Sequence, residues 1–175
     1  MKALLILFLV VYLLGAEEGD WEYERINYYF ENDTFSSTDS EYTDGSRLSG
    51  LLYRPEADKE WLSIPFTDEL ERAHFISFSL TQQMFTPHDL NETAVIENDR
   101  PYAGWLYFEL GLHQSSEVHL DSLSMQVGII GPASGMEQLQ EFVHEHVDSE
   151  VAQGWDNQLN NELGVQLNYQ HKWRF

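Results

Sequence analysis

A histidine and an adjacent amide–carboxylate pair are the residues of this sequence best suited to chemistry. His144 lies in the stretch GIIGPASGMEQLQEFVHEH, residues 128–146, and Asn32 and Asp33 adjoin each other near the N-terminus. An imidazole near its ordinary pKa of about 6.5 can take a proton from water. Asp33, with Asn32 beside it, offers oxygen ligands to a hard cation such as Ca²⁺. A bound cation would polarise an ester carbonyl, so these residues predict metal-assisted hydrolysis.

Each of these residues also has an ordinary structural interpretation. A lone helix histidine is commonly a surface residue, and Asn-Asp and Thr-Asp-Gly are common turn sequences. Ser134 is a poor candidate nucleophile because GPASG lacks the Gly-x-Ser-x-Gly pattern. Its spacing to Glu137 instead predicts a capping box at the start of a helix. Hydrolysis therefore depends on whether the fold brings His144 and the Asn32–Asp33 pair together.

The histidine belongs to a predicted amphipathic helix that begins after Gly131-Pro132. Met136, Leu139, Val143 and Val147 recur at helical spacing and form one apolar stripe. His144 is placed at the edge of that stripe, where a side chain is half-buried.

Six segments alternate between apolar and polar residues with the period of a β-strand. They are Trp21–Asn32, Tyr42–Tyr53, Arg72–Phe85, Tyr102–His113, Asp121–Ile130 and Glu162–Trp173. Lengths of about ten residues suit tilted membrane-spanning strands, and the polar faces are rich in Ser, Gln and Asn. The pattern predicts an all-β fold, an antiparallel transmembrane β-barrel of the outer-membrane type with one short extracellular helix. A soluble, lipocalin-like barrel with its apolar face inside is the alternative.

The order of the strands groups the polar motifs at one end of the sheet. If the N-terminus is periplasmic, the connections at 33–41, 86–101 and 131–161 lie on the outer side. Asn32, Asp33 and Thr43 are then neighbours across the first hairpin. Spacing alone does not determine whether the helix bearing His144 folds over them. The connection at 54–71 is long for a periplasmic turn, and the sequence offers no physical reason for it.

Composition and the N-terminal segment restrict the compartment and the partners. Residues 1–16 have the charged start, apolar core and small-residue end of a signal peptide, which leaves 17–175 as a β-barrel domain. The formal charge of −21 excludes nucleic acid as a partner, and the absence of cysteine excludes disulfides. The smallest spanning barrels have eight strands, so six predict the N-terminal half of a longer barrel or association with another copy. The oligomeric state is left open.

The motifs taken together resemble the LpxR family of outer-membrane lipid A 3′-O-deacylases. The matching segments are Glu31-Asn32-Asp33 with Phe35, Tyr42-Thr43-Asp44-Gly45, Thr86-Pro87, Asn98–Trp105, and Gly128–Pro132 continuing through Gln140 to His144. The resemblance implies a twelve-stranded barrel in the outer membrane of a Gram-negative bacterium. It also implies calcium-dependent removal of the 3′-linked acyl chain from lipid A of the lipopolysaccharide.

The resemblance further assigns roles to individual residues. His144 corresponds to the general base, Asn32 and Asp33 to the calcium-site and active-site pair, and Thr43 to a further active-site residue. The loop before Asn98 carries no lysine, so cationic assistance from that loop is not expected. An outer-membrane phospholipase and a non-catalytic outer-membrane barrel are the alternative functions.

Overall fold

The described part of the protein forms a six-stranded sheet with one α-helix. The computed structural model describes residues 22–32, 44–53, 64, 67, 73–147 and 152–174. The strands are β1 (Glu22–Asn32), β2 (Asp44–Tyr53), β3 (Ala73–Phe85), β4 (Ala103–Ser115), β5 (His119–Ile130) and β6 (Glu162–Trp173). The helix α1 (Met136–Val147) is preceded by a 3₁₀ turn at Pro132–Ser134 and followed by another at Trp155–Asn157.

Every strand pairs antiparallel with its neighbour in the chain. The order in the sheet is β1-β2-β3-β4-β5-β6, which leaves β1 and β6 at the two edges. The predicted antiparallel strands are therefore confirmed, and so is the single α-helix as far as the described residues extend. β4 and β5 continue further toward each other than predicted, so the turn between them shortens to the residues 116–118.

The two faces of the sheet differ in polarity, as the alternation predicted. The polar face is concave and encloses a groove of about 470 Å³ lined by residues such as Asn27, Ser49 and Thr81. The convex face presents an apolar belt, with exposed members including Leu163 (74%), Ile26 (69%) and Met125 (48%). Exposed apolar residues on the outside of a curved sheet are what a lipid-facing wall requires.

Two residues of the long connection between β2 and β3, Ile64 and Thr67, are described, and they lie at the inner end of the convex face. Ile64 is 1% exposed, and the Thr67 hydroxyl lies 2.7 Å from the side-chain oxygen of Gln114. Beside Gln114 lies Asp121, whose carboxylate accepts hydrogen bonds from Tyr169 at 2.7 Å and His171 at 2.5 Å. Polar side chains occupy this end of the otherwise apolar face, so a covering segment shields them from lipid.

The outer end of the same face is covered by α1 and the 3₁₀ turn before it. Gly104 provides the space, since a β-carbon there would overlap Ser134 and Met136. Met136 is 2% exposed and joins Met84, Tyr102, Ala152 and Trp155 in one buried cluster. The helix is thus held against β3 and β4 by apolar burial.

The predicted capping box at the start of the helix is wrong. Ser134 lies in the 3₁₀ turn, where its hydroxyl donates a 2.6 Å hydrogen bond to the Gly131 carbonyl. Gly135 follows in the left-handed conformation (φ 76°), which suits glycine, and directly precedes α1. Glu137 accepts a hydrogen bond from Gln158 instead of capping the helix (3.1 Å).

The predicted signal peptide, residues 1–16, lies outside the described residues and stays a prediction. In the part of the chain that the structure describes, none of the helices has the length and apolar character needed to cross a membrane.

Candidate active site

The structure describes the backbone at two of the four predicted site residues. Asn32 is the last residue of β1, and His144 lies in the second half of α1. Asp33 and Thr43 lie outside the described residues, although both adjoin described strand ends. Asn32 pairs in register with Asp44, the first residue of β2. Asp44 was not among the predicted site residues. Its expected position opposite Asn32 in the first hairpin was the sequence feature that could have identified it.

The strand register connects the hairpin end to the helix. Asn32, Asp44, Met84 and Gly104 are successive partners across β1 to β4 and so share one row of the strand register. The side chain of Met136, the first residue of α1, packs on Met84 and beside Gly104. The open end of the first hairpin and the start of the helix therefore lie at the same end of the sheet.

The connection between β3 and β4 and the segment after α1 form a single unit beside the helix. Backbone hydrogen bonds join Gln153 to Leu90 at 2.8 Å and Leu159 to Tyr102 at 2.9 Å. The Asn157 side chain adds a 2.6 Å bond to the Thr93 carbonyl. These contacts link two outer loops that are far apart in sequence, and they give α1 a rigid neighbour.

A buried hydrogen bond ties this unit to the helix. The indole Nε1 of Trp155 donates to Oε1 of Gln140 at 2.7 Å, and the two residues are 3% and 4% exposed. Tyr102 packs its ring against Trp155 with centroids 4.9 Å apart. Burial raises the pKa of Tyr102, while a backbone hydrogen bond at Gly154 opposes that shift.

The nitrogen of the Gln140 side-chain amide lacks a hydrogen-bond partner in the described part of the structure. This atom, Nε2, is buried. Leaving a buried donor unpaired costs roughly 1–3 kcal/mol, so such a group calls for an explanation. Gln140 was noted only as part of a family motif; its four-residue spacing from His144, which places both positions on one side of α1, was the available signal.

Asp99 organises the β3–β4 connection through backbone contacts. Its carboxylate accepts hydrogen bonds from the backbone N–H of His88 at 2.8 Å and of Arg100 at 2.7 Å. These bonds, the one from His88 first, hold the pKa of the Asp99 carboxyl below its ordinary value. Asn98, immediately before it, adopts a positive φ of 68°, a conformation that asparagine tolerates better than most residues.

We expect the Asp99 contacts to persist at mildly acidic pH. A carboxyl whose folded pKa is lowered stabilises the fold above its unfolded pKa, and that contribution is lost as pH falls through the folded pKa. The amide shifts of His88 and Arg100 should therefore titrate together, with a midpoint below the ordinary aspartate value of about 3.9. NMR of the folded protein, titrated from about pH 6 downward as far as the protein stays folded, measures this midpoint. A common midpoint above 3.9 would contradict the assignment.

The concave face holds a separate polar network. Arg47 on β2 forms an ion pair with Glu109 on β4 at 2.8 Å, and Gln126 on β5 donates to the same carboxylate at 2.5 Å. His113 lies between Ser77 (2.7 Å) and Ser122 (2.9 Å). This network faces the groove and not the helix, so it belongs to the barrel wall and not to the candidate site.

The residues at the hairpin end fit a hard cation in their chemistry. Asn32 and Asp44 are register partners that bear oxygen atoms, and Asp33 follows Asn32 in the chain. No group of three or more His, Cys, Asp or Glu residues with metal-binding geometry occurs among the described residues, a set that does not include Asp33.

Comparison with known proteins assigns the family. A family described as "Outer membrane protein LpxR" matches residues 3–175, nearly the whole chain. The chain belongs to the LpxR family. Family membership confirms the predicted outer-membrane β-barrel class. None of the curated proteins compared matches the chain.

A solved structure supports the LpxR fold. LpxR from Salmonella typhimurium superposes with a TM-score of 0.60 over 75% of this chain at 20% sequence identity. At this identity the likeness shows the fold alone. The matched part spans 40% of the length of that solved chain.

Proposed function

We propose that this chain provides the active site of a calcium-dependent esterase that removes the 3′-linked acyl chain of lipid A in the outer leaflet. The supporting observation is the row from Asn32 to Gly104, which relates the first hairpin to the seat of α1. Neighbouring strands are about 4.8 Å apart, so the row spans about 14 Å. Position 144 is eight residues beyond Met136, or about 12 Å along the helix. The helix is thus long enough to bring position 144 near Asn32.

The surface beside this row suits a lipid substrate. The next row toward the membrane includes Phe30, Leu106, Ile129 and Leu163, of which Leu163 is 74% and Phe30 50% exposed. Acyl chains can lie along this convex belt while the polar head of the lipid reaches the rim. A water-soluble ester would gain nothing from such a belt, so the surface favours lipid A or a phospholipid over soluble esters.

The chain's own residues divide the work of ester hydrolysis. His144 takes a proton from water, whose oxygen attacks the ester carbonyl carbon. The bond between that carbon and the sugar oxygen then breaks, and His144 returns the proton to the sugar oxygen, releasing a fatty acid and a hydroxyl group. Asn32, Asp33 and Thr43 bind and orient the ester, with Asn32 and Asp33 also holding the cation. Bound Ca²⁺ would supply positive charge to the carbonyl oxygen.

The experiment that tests this function is an acyl-release assay with the mature protein in outer-membrane vesicles. We expect lipid A to lose one ester-linked acyl chain when Ca²⁺ is present, detected by mass spectrometry. Phospholipid vesicles form the parallel arm, and release of fatty acid from these alone would indicate a phospholipase. No calcium-dependent release from either lipid would identify a non-catalytic barrel.

A further inference from the structure

The inference starts from the hydrogen bond between Trp155 and Gln140. An indole N–H can only donate, so the atom of Gln140 that faces it at 2.7 Å must be the amide oxygen. Trp155 therefore fixes which way the Gln140 amide points, a choice that usually depends on several partners. The amide NH₂ group is directed away from the indole and has no partner among the described residues.

The surroundings hold this arrangement rigidly. Trp155 and Gln140 are both more than nine-tenths buried, and the Tyr102 ring packs against the indole at 4.9 Å. A β-carbon at position 154 would overlap the Tyr102 ring, so Gly154 allows this close approach. The amide cannot exchange its oxygen and nitrogen without breaking the indole hydrogen bond in a buried site.

We propose that Trp155 is a positioning residue that presents the Gln140 amide NH₂ to the carbonyl oxygen of the ester. Gln140 precedes position 144 by one helical turn on the same side of α1. A donor there can bind the carbonyl oxygen while water attacks the carbon, and the bond strengthens as negative charge develops on that oxygen. The inference rests on the proposed esterase function, since it names the partner of the unpaired donor.

A double-mutant cycle on the mature protein in outer-membrane vesicles tests the inference. Gln140→Leu removes the donor and should lower kcat by about 100-fold with little change in KM, because the bond forms mainly in the transition state. Trp155→Phe keeps an aromatic ring at this site, although a smaller one, and removes the indole N–H. The amide is then free to rotate, and kcat should fall by about tenfold. In the Gln140→Leu background, Trp155→Phe should have no further effect on kcat.

Trp173→Phe is the matched control. Trp173 ends β6 at the inner end of the sheet, and loss of its indole N–H should leave kcat unchanged. All rates are expressed per folded molecule, counted as the compact species on unheated gels. An equal loss from Trp155→Phe in both backgrounds would indicate general structural damage and overturn the inference. An inactive wild type would reject the proposed function itself, whereas an active wild type with an unaffected Trp155→Phe variant would reject only the role of Trp155.

Discussion

Replacing His144 with alanine should lower the rate of lipid A deacylation by about 1,000-fold, the middle of the range for loss of a general base. Alanine keeps the helix, since it has the highest helix propensity, and removes only the imidazole. The loss should appear in kcat and kcat/KM alike, because proton removal from water occurs in the transition state. Mass spectrometry of released fatty acid at saturating lipid A and Ca²⁺ measures it.

His146→Ala is the matched control for that variant. Position 146 is two residues further along the same helix and therefore about 200° around its axis. His146→Ala and His144→Ala make the same change in residue type, charge and helix propensity, but they make it on different sides of α1. We expect the activity of the His146→Ala variant to stay within about twofold of the wild type, because position 146 lies on the other side of α1 from position 144. If His144→Ala kept normal activity, or both variants lost it equally, histidine would not be the base.

The strands were predictable because each has one polar and one apolar face. Alternation such as Leu123, Met125 and Val127 against Ser122, Ser124 and Gln126 survives directly as the convex and concave faces of β5. Antiparallel pairing of consecutive strands then follows from the tendency of elements that are consecutive in the chain to lie next to each other. The up-and-down order of the strands determined which end of the sheet carries Asn32 and the start of α1.

The contacts that hold the helix were not predictable because they join residues distant in sequence. Gln140 accepts a hydrogen bond from Trp155, fifteen residues further along the chain. Gly104 at the start of β4 makes room for Met136 at the start of α1. Nothing in the local pattern distinguishes Gly104 from any other strand glycine. The Ser134–Glu137 spacing failed as a capping signal because Pro132 starts a separate 3₁₀ turn, which engages the serine before α1 begins.

The β2–β3 connection shows a similar limit of sequence reasoning. Its length was inexplicable while the convex face was treated as uniformly apolar. Asp121, Gln114 and His171 lie on that face at its inner end. Ile64 of the connection is buried, and Thr67 of the connection contacts Gln114. A carboxylate in lipid is costly unless protein surrounds it. The polar residues at this end of the face therefore give a physical reason for a long connection between β2 and β3.

Replacing Asp33 with asparagine should raise the Ca²⁺ concentration for half-maximal deacylation by at least about tenfold. Asparagine keeps the shape of the side chain and one carbonyl oxygen but removes a negative charge, and Ca²⁺ affinity depends on the number of charged ligands. Activity is measured against free Ca²⁺ set with a chelator buffer, and calcium binding by calorimetry on the same samples. Complete removal of Ca²⁺ by the chelator should abolish wild-type activity. Adding Ca²⁺ again should restore it.

The control must separate a specific site from general attraction of cations. A net charge of −21 concentrates divalent cations near the whole surface, so any lost carboxylate could weaken the calcium response slightly. Glu117→Gln removes the same charge from the exposed turn between β4 and β5, at the opposite end of the sheet from Asn32. We expect that variant to keep the wild-type calcium response. An equal shift of the half-maximal Ca²⁺ concentration in both variants, or full activity in the chelator, would mean that the first hairpin does not hold the cation. Hydrolysis would then have to depend on His144 and neutral hydrogen-bond donors alone.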